Sequence, residues 1–474
     1  MSQRPASAQS GWRAIGTQFL PFADAASETL PLGRLIRLSL FQVSFGITAA
    51  LLTGVINRVM IVELGMAASL VALMVALPLV FAPLRALIGH KSDTHRSILG
   101  WRRSPYIWFG SLFVFGGLAI MPFALLILSG DTHGPLWIGY AAAALAFLLA
   151  GAGMHTVQTA GLALATDIAP EADRPRVVAL LFVMLLLGLA GGAAGFGLFL
   201  QDFNQLKLIQ AIQGAAVVAI ALNVIALWKQ EARQPQGAET ETGQSFAAAW
   251  SKLSAAPNTR RLLMAVFLGS AAFGMQDILL EPYGGEILGM SVSGTTLLTG
   301  IFALGALAGF ALSARRLSKG QNCYRMAGFS VLVGVIGFSS VVFADPLQSA
   351  NLFRFGAFLI GLGGGIFTVC TLTAAMQTAA RADNGITLGA WGAANATGAG
   401  LAVFAGGAIK DLVSSLAVAG DLGPALVRPA VGYSLVYHIE ILLLFATLIV
   451  IGPLARHTPD PQPNTRFGLA AFPG

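Results

Sequence analysis

The chain has 474 residues, a length that corresponds to about three domains in a soluble protein. Its composition excludes that interpretation, because 56% of the residues are hydrophobic and only 10% are charged, whereas an ordinary soluble domain has about 25% charged residues. The mean hydropathy of +0.75 indicates that most of the surface faces lipid.

Twelve apolar stretches follow one another along the chain, each close to the ~20 residues that a helix needs to cross hydrocarbon. The stretches are continuous rather than alternating, which favours helices over the strands of a barrel. We therefore predict an all-α polytopic membrane protein. Its twelve transmembrane helices are predicted at 38–57, 67–89, 106–128, 136–163, 177–200, 207–228, 261–281, 292–312, 326–344, 352–378, 387–409 and 432–454.

The positions of Lys and Arg predict the orientation, because loops rich in these residues stay in the cytoplasm. Placing both termini in the cytoplasm puts 22 of the 28 Lys and Arg residues on that side. The net charge of +7 is therefore a signal of topology and of contact with membrane lipid. It does not indicate a nucleic-acid partner.

The longest polar stretch divides the twelve helices into two sets of six. The short motif "TVQT" at 156–159 has a counterpart "TVCT" at 368–371, which indicates an internal duplication. Two parallel six-helix repeats describe the major facilitator fold. The predicted organisation is a cytoplasmic amino-terminal segment (1–37), a six-helix bundle (38–228), a flexible cytoplasmic linker (229–260), a second bundle (261–454) and a cytoplasmic tail (455–474).

The loop between the second and third helices has the sequence "GHKSDTHRSILGWRR". Gly89 begins a turn, Asp93 follows four residues later, and Arg102 and Arg103 end the loop. A carboxylate and guanidinium groups can form charge-assisted hydrogen bonds that hold such a loop closed. We predict that these four residues form a cytoplasmic latch.

The seventh helix ends with two carboxylates in "QDILLEPYGGE". Asp277 and Glu281 are four residues apart and are expected to share a helix face. Pro282 is expected to break the helix directly after Glu281. We predict that these carboxylates and Tyr283 shape an outer rim or docking surface. The alternatives are a structural role, in which the carboxylates hold an outer loop by hydrogen bonds, and proton coupling or metal ligation by the two carboxylates.

Two histidines lie inside apolar helices, where polar groups are functional candidates. His155 and Gln158 are three residues apart in the fourth helix, and His438 lies in the twelfth helix near Glu440. A neutral imidazole can coordinate the magnesium of a chlorin, although such a residue is more often a packing residue. We therefore treat His155, Gln158 and His438 as candidate ligand- or pigment-binding residues.

The sequence contains no motif of catalysis. The only cysteines, Cys323 and Cys370, lie in separate segments and suggest neither a disulfide nor a metal site. The chain has no Walker A loop, no HExxH motif and no GxSxG elbow. We expect no enzyme activity, no catalytic residue and no metal centre.

Four long blocks resemble the PucC/LhaA family, a branch of the major facilitator superfamily in phototrophic bacteria. They are "LPFADAASETLPLGRLIRLSLFQVSFGITAALLTGVINRVMIVELG" (20–65), "LPLVFAPLRALIGHKSDTHRSILGWRRSPYIW" (77–108), "QTAGLALATDIAPEADRPRVVALLFVMLLLG" (158–188) and "QDILLEPYGGEILGMSVSGTT" (276–296).

This resemblance implies a bacterial inner (intracytoplasmic) membrane protein that assembles light-harvesting antennae and delivers bacteriochlorophyll. The implied partners are the alpha and beta antenna polypeptides, and the reaction centre and pigment-synthesis enzymes are further candidates. We favour the core antenna, light-harvesting complex 1 (LH1), over the peripheral antenna (LH2). The alternatives are a proton-coupled secondary transporter of a tetrapyrrole or other amphipathic solute, and a scaffold that holds no pigment.

Overall fold

The structure is a computed structural model that describes residues 31–78, 97, 100–130, 134–169, 174–231, 257–378 and 384–457. All regular elements within these residues are helical, which confirms the predicted all-α fold class. Helices are the expected solution in lipid, because each helix satisfies its own backbone hydrogen bonds.

Twelve helices, α1 to α12, follow one another along the described chain. Their bounds are α1 Leu32–Glu63, α2 Ala68–Ala76, α3 Ser104–Leu128, α4 Leu136–Ile168, α5 Arg174–Phe199, α6 Gln205–Leu227, α7 Pro257–Gly274 with its continuation to Glu286, α8 Val292–Ser318, α9 Cys323–Ala344, α10 Ala350–Thr378, α11 Asn384–Ala419 and α12 Ala430–His457.

Eleven of these helices are long and apolar enough to cross a membrane. The exception is α2, because the description of its predicted span, 67–89, stops at Pro78. Several helices extend beyond their predicted spans, since α11 continues to Ala419 and α4 to Ile168. These extensions place Lys410 inside α11, whereas the predicted span of this helix ends one residue earlier, at 409.

In both sets of six helices, glycine residues allow neighbouring helices to pack closely. In the first set, a Cβ at Gly153 of α4 would lie 2.5 Å from the backbone oxygen of Gly110 in α3. In the second set, a Cβ at Gly356 of α10 would lie 2.8 Å from the backbone oxygen of Gly337 in α9. These matching contacts bring backbones together as small residues do in membranes, and they fit the predicted duplication.

The two sets of helices contact each other through α1, α2 and α5 on one side and α7, α8 and α11 on the other. Many of these contacts lie near the distal face, which we define as the side where α1 ends at Glu63 and α7 ends at Glu286. Both α1 and α7 are irregular as they approach this face. In α1, π-helical turns cover Ala50–Ile56 and Val59–Glu63, and such turns occur frequently at functional sites.

Candidate functional site

The end of α7 differs from the sequence prediction. Regular helix ends at Gly274, a 3₁₀ turn covers Met275–Ile278, and a last helical segment spans Leu280–Glu286. Pro282 was expected to break the helix, and this prediction was wrong. Pro282 lies in the first turn of the last segment, where a helix tolerates the missing N–H group.

The 3₁₀ turn also separates the two carboxylates that were expected to share a face. Asp277 lies in the 3₁₀ turn and Glu281 lies in the helical segment that begins at Leu280, so the continuous α-helix that would place both on one face is interrupted between them. The Asp277 side chain is exposed and accepts a hydrogen bond from the Gln276 amide, whereas Glu281 is 3% exposed. The two carboxylates therefore do not form one site.

Glu281 is held between the two halves of the protein. Its Oε1 accepts a hydrogen bond from the Thr299 hydroxyl of α8. The same oxygen faces Gly54 of α1, where a Cβ would lie only 2.6 Å from it. The Arg58 guanidinium is close enough for electrostatic attraction to Glu281. Gly54 thus provides the space in which this buried carboxylate packs against α1.

Asn57 and Arg58 join α1 to α7 and to the turn that follows it. The Asn57 amide donates to the backbone oxygen of Ile278 at 3.0 Å. Arg58 is 4% exposed, forms an ion pair with Glu63 and donates to the backbone oxygen of Met290 at 3.3 Å. Because carbonyl groups near a 3₁₀ turn need partners, these donors help to stabilise the broken end of α7.

Lys410 and Asp411 form a second connection near the distal face. Asp411 accepts from the backbone N–H groups of Ala68 and Ser69 at 3.1 and 2.6 Å, so that it caps α2 from the other half of the protein. The Lys410 ammonium lies 3.6 Å from carboxylate oxygens of both Asp411 and Glu286. The sequence could have indicated this pair, because charged residues inside apolar helices are uncommon.

Tyr283 was expected to shape the outer rim or a docking surface, but its ring is buried near the distal end of α7. It is 1% exposed and packs against three aromatic rings, with centroid distances of 5.1 Å to Tyr433, 5.3 Å to Phe353 and 5.6 Å to Tyr437. The continuation of α7 past Pro282 turns this ring into the protein. Tyr283 therefore stabilises the bundle through its aromatic contacts.

Glu440 of α12 is a buried carboxylate that interacts electrostatically with Asp277 of α7. Within the described part of the chain, no side chain donates a hydrogen bond to its oxygens, and the backbone of Gln276 is the polar group that interacts with them. Burial of a carboxylate with so few partners is costly, so Glu440 is a functional candidate, although its sequence position indicates only a neighbour of His438. No cluster of three metal-ligating side chains occurs among the described residues.

The predicted cytoplasmic latch is described only in part, because Gly89 and Asp93 lie outside the described residues. Arg103 forms an ion pair with Asp167 at 3.1 Å. Glu231 accepts hydrogen bonds from the backbone N–H groups of Arg102, Arg103 and Ser104 at 2.6, 2.9 and 2.8 Å. These groups start α3, so Glu231 caps that helix.

This capping changes the interpretation of the linker that was predicted at 229–260. Its first residues are held in place, since Gln230 is 1% exposed and exchanges hydrogen bonds with Arg34 at the start of α1. Glu231 gave no signal in the sequence, because it lies in a polar segment and its partners are distant along the chain.

His155 and Gln158 lie on the side of α4 that faces α1. Gln158 is 7% exposed, and its amide nitrogen is 3.4 Å from the side-chain oxygen of Gln42. The His155 ring is half-buried and lies 5.9 Å from the Phe45 ring, measured between centroids. These two contacts with α1 show that both residues take part in packing between helices of the same half.

His438 lies on the opposite side of α12 from Glu440. The buried side of α12 packs against α7, α9 and α11. Its other side carries exposed residues at helical spacing, which places them on one face. These residues are Leu435, His438, Leu442, Phe445 and Ile449. An apolar face of a membrane-spanning helix that points away from its neighbours is in contact with lipid.

The hydrogen bond made by His438 indicates which of its two ring nitrogens carries the hydrogen. Nδ1 lies 2.7 Å from the backbone oxygen of Ser434, and a carbonyl oxygen can only accept. Nδ1 therefore carries the hydrogen, and in the neutral ring Nε2 has the free lone pair. A hydrogen bond of this kind also orients the imidazole of metal-binding histidines. His438 thus presents an oriented nitrogen ligand at the lipid-facing surface.

The chain has the major facilitator fold. It resembles the crystal structure of a D-xylose-proton symporter with a TM-score of 0.70 at 15% identity, covering 91% of this chain and 98% of the symporter chain. The family model described as PUCC protein matches residues 55–458. The chain belongs to this family, which confirms the resemblance found in the sequence.

Two relatives from purple bacteria match nearly the whole chain. One, from Rhodobacter capsulatus, is described as an uncharacterized protein in the puhA-bchM intergenic region, and it is 55% identical over 97% of this chain and 98% of its own length. The other is the protein PucC of Rhodovulum sulfidophilum, 54% identical over 84% of this chain and 89% of its own length. In its family and in its fold, this chain resembles membrane proteins and transporters.

Proposed function

We propose that this protein is a non-enzymatic assembly factor for the light-harvesting antenna. It binds bacteriochlorophyll and delivers it to the alpha and beta antenna polypeptides in the bacterial inner membrane, with both termini in the cytoplasm. Membership of the PUCC family supports the assembly role, and the positions of Lys and Arg support the orientation. The single observation that carries pigment binding is the oriented imidazole of His438 on the lipid-facing side of α12.

The chemistry of His438 suits a chlorin as cargo. The magnesium of bacteriochlorophyll takes an axial nitrogen ligand, and a neutral imidazole with a free Nε2 provides one. The flanking residues of the same face, Leu435 and Leu442, are apolar and suit the macrocycle and its hydrocarbon tail. A pigment held on this face is accessible to a single-span antenna helix that approaches through the membrane.

A pull-down from phototrophically grown membranes tests this proposal. We expect the tagged protein, purified in mild detergent, to show bacteriochlorophyll absorption and to retain antenna polypeptides identified by mass spectrometry. A protein that carries neither pigment nor antenna polypeptides contradicts the proposal. Antenna polypeptides without pigment contradict the delivery role and support the scaffold.

The same experiment separates LH1 from LH2. We favour LH1, and the 55% and 54% identities to the two relatives are too similar to separate the antennae. Membranes from a strain without LH2 provide the control. We expect the pigment and the LH1 polypeptides to remain bound there, whereas loss of both partners indicates LH2. Reaction-centre proteins and pigment-synthesis enzymes are further partners to be scored in the same spectra.

A second candidate function is proton-coupled transport of a tetrapyrrole or another amphipathic solute. The observation that favours it is the group of carboxylates on α7 and α12, in which exposed Asp277 interacts with buried Glu440. This function predicts flux of a tetrapyrrole into proteoliposomes that depends on a proton gradient and is lost in Asp277→Asn. Flux that persists in Asp277→Asn removes this carboxylate from the coupling.

A further inference from the structure

A cavity of about 500 Å³ lies where α8 turns into α9, on the side of the membrane opposite the distal face. Both helices cross the membrane, so the short turn between them lies at the membrane surface. The cavity has a polar end and an apolar end. Arg316, Gln321 and Arg325 line the polar end, and Leu312, Met326 and Phe329 line the apolar end.

The two ends lie at different depths in the membrane. Leu312 precedes Arg316 by one helical turn in α8, and Phe329 follows Arg325 by one turn in α9. Because α8 runs towards this surface and α9 runs away from it, both apolar residues lie about 6 Å deeper than the two arginines. The cavity therefore has cationic groups at the height of lipid headgroups and apolar groups at the height of acyl chains.

Phe329 shows that the cavity opens towards lipid. It is 50% exposed and begins a row of exposed apolar residues along α9, which continues with Leu332, Ile336 and Phe343. This spacing places the row on one helix face. An acyl chain can lie along this face while its headgroup enters the cavity.

We propose that this cavity binds the phosphate of an anionic phospholipid. Arg316 and Arg325 come from different helices and bind the phosphate, because guanidinium groups match phosphate geometry. The cavity is large enough for a headgroup with the start of a chain. This proposal does not depend on the proposed function.

Native mass spectrometry of the full-length protein with phosphatidylglycerol tests the proposal. We expect Arg316→Gln with Arg325→Gln to weaken phosphatidylglycerol binding roughly thirty-fold, or five- to sixfold per lost cation. The matched control is Arg260→Gln with Arg261→Gln, which removes two exposed arginines from the same side of the membrane. Equal weakening in the two double variants overturns the proposal, because binding then follows total charge alone.

Two further measurements identify the source of the phosphate. Phosphatidylcholine should bind the protein and the Arg316/Arg325 variant equally, and an equal loss for both lipids overturns the anionic specificity. Phe329→Ser should weaken phosphatidylglycerol binding but leave binding of glycerol phosphate unchanged. If Phe329→Ser has no effect on either ligand, the lipid is excluded and a soluble phosphate ester is the ligand.

Discussion

Replacing Gly54 with alanine tests the contact between α1 and α7 directly. The new Cβ would lie 2.6 Å from the Glu281 Oε1 atom and 3.2 Å from the Thr299 Oγ1 atom. Both atoms belong to one buried hydrogen bond, so neither can move without weakening it. Overpacking costs about 1–3 kcal/mol, and a weakened hydrogen bond to a carboxylate costs up to about 1.5–3 kcal/mol more.

Gly195→Ala is the matched control, because it changes a helical glycine of α5 that has open space where the Cβ is added. Alanine is favoured over glycine in a helix by roughly 1 kcal/mol, so this variant should be as stable as the parent or slightly more so. Because the gain in helix propensity is common to both variants, we expect Gly54→Ala to be about 1–6 kcal/mol less stable than Gly195→Ala.

Thermal unfolding in detergent with a thiol-reactive fluorescent dye measures this difference. Cys323 and Cys370 are both buried, so the dye reacts when the protein unfolds. In a Glu281→Ala background, the added methyl group has space, and the cost of Gly54→Ala should fall. Equal stability of Gly54→Ala and Gly195→Ala would refute the packing described for Glu281.

Two other substitutions test the contacts that hold helix ends. Asp411→Ala removes the cap of α2 and should lower the stability of the protein by about 0.5–2 kcal/mol. The control Asp421→Ala changes an exposed residue near the end of α11 and should have little effect. Equal effects of the two substitutions argue against the cap. Glu231→Ala leaves the N–H groups at the start of α3 without their carboxylate and should lower the free energy of unfolding by about 2 kcal/mol or more. Glu231→Gln keeps one acceptor oxygen and should lower it by less. Unchanged unfolding of Glu231→Ala would show that the cap does not stabilise α3.

The sequence was sufficient to predict the helices and their assembly. A membrane-spanning helix must be apolar over about 20 residues, so the spans are visible in hydropathy alone. The family blocks added the fold, whereas the orientation predicted from Lys and Arg stays a prediction. The face of α12 that carries His438 also follows from helical spacing, because Glu440 is two residues away and points elsewhere.

The details of the candidate site could not be predicted in the same way. The 3₁₀ turn of α7 is stabilised by Asn57 of α1, a residue that lies 221 positions away from Ile278. Pro282 was misinterpreted because a proline can begin a helical segment as well as end one. The cap by Glu231 depends on contacts with residues about 130 positions earlier. Long-range contacts of this kind leave no local pattern in the sequence.

The proposed delivery of pigment depends most directly on His438. The decisive measurement is the ratio of bacteriochlorophyll to protein in His438→Leu, purified in mild detergent from phototrophic membranes. Leucine keeps the apolar face of α12 but removes the Nε2 ligand. His155→Leu is the matched control, since it removes a half-buried histidine that packs beside Phe45.

We predict that His438→Leu loses most of its bound bacteriochlorophyll, while His155→Leu retains it and both variants remain monodisperse. A smaller loss in His438→Asn, whose side chain still offers an oxygen to magnesium, would further support ligation. Pigment occupancy of His438→Leu equal to that of the parent protein would contradict the account, because the oriented imidazole on α12 would then have no role in holding the pigment.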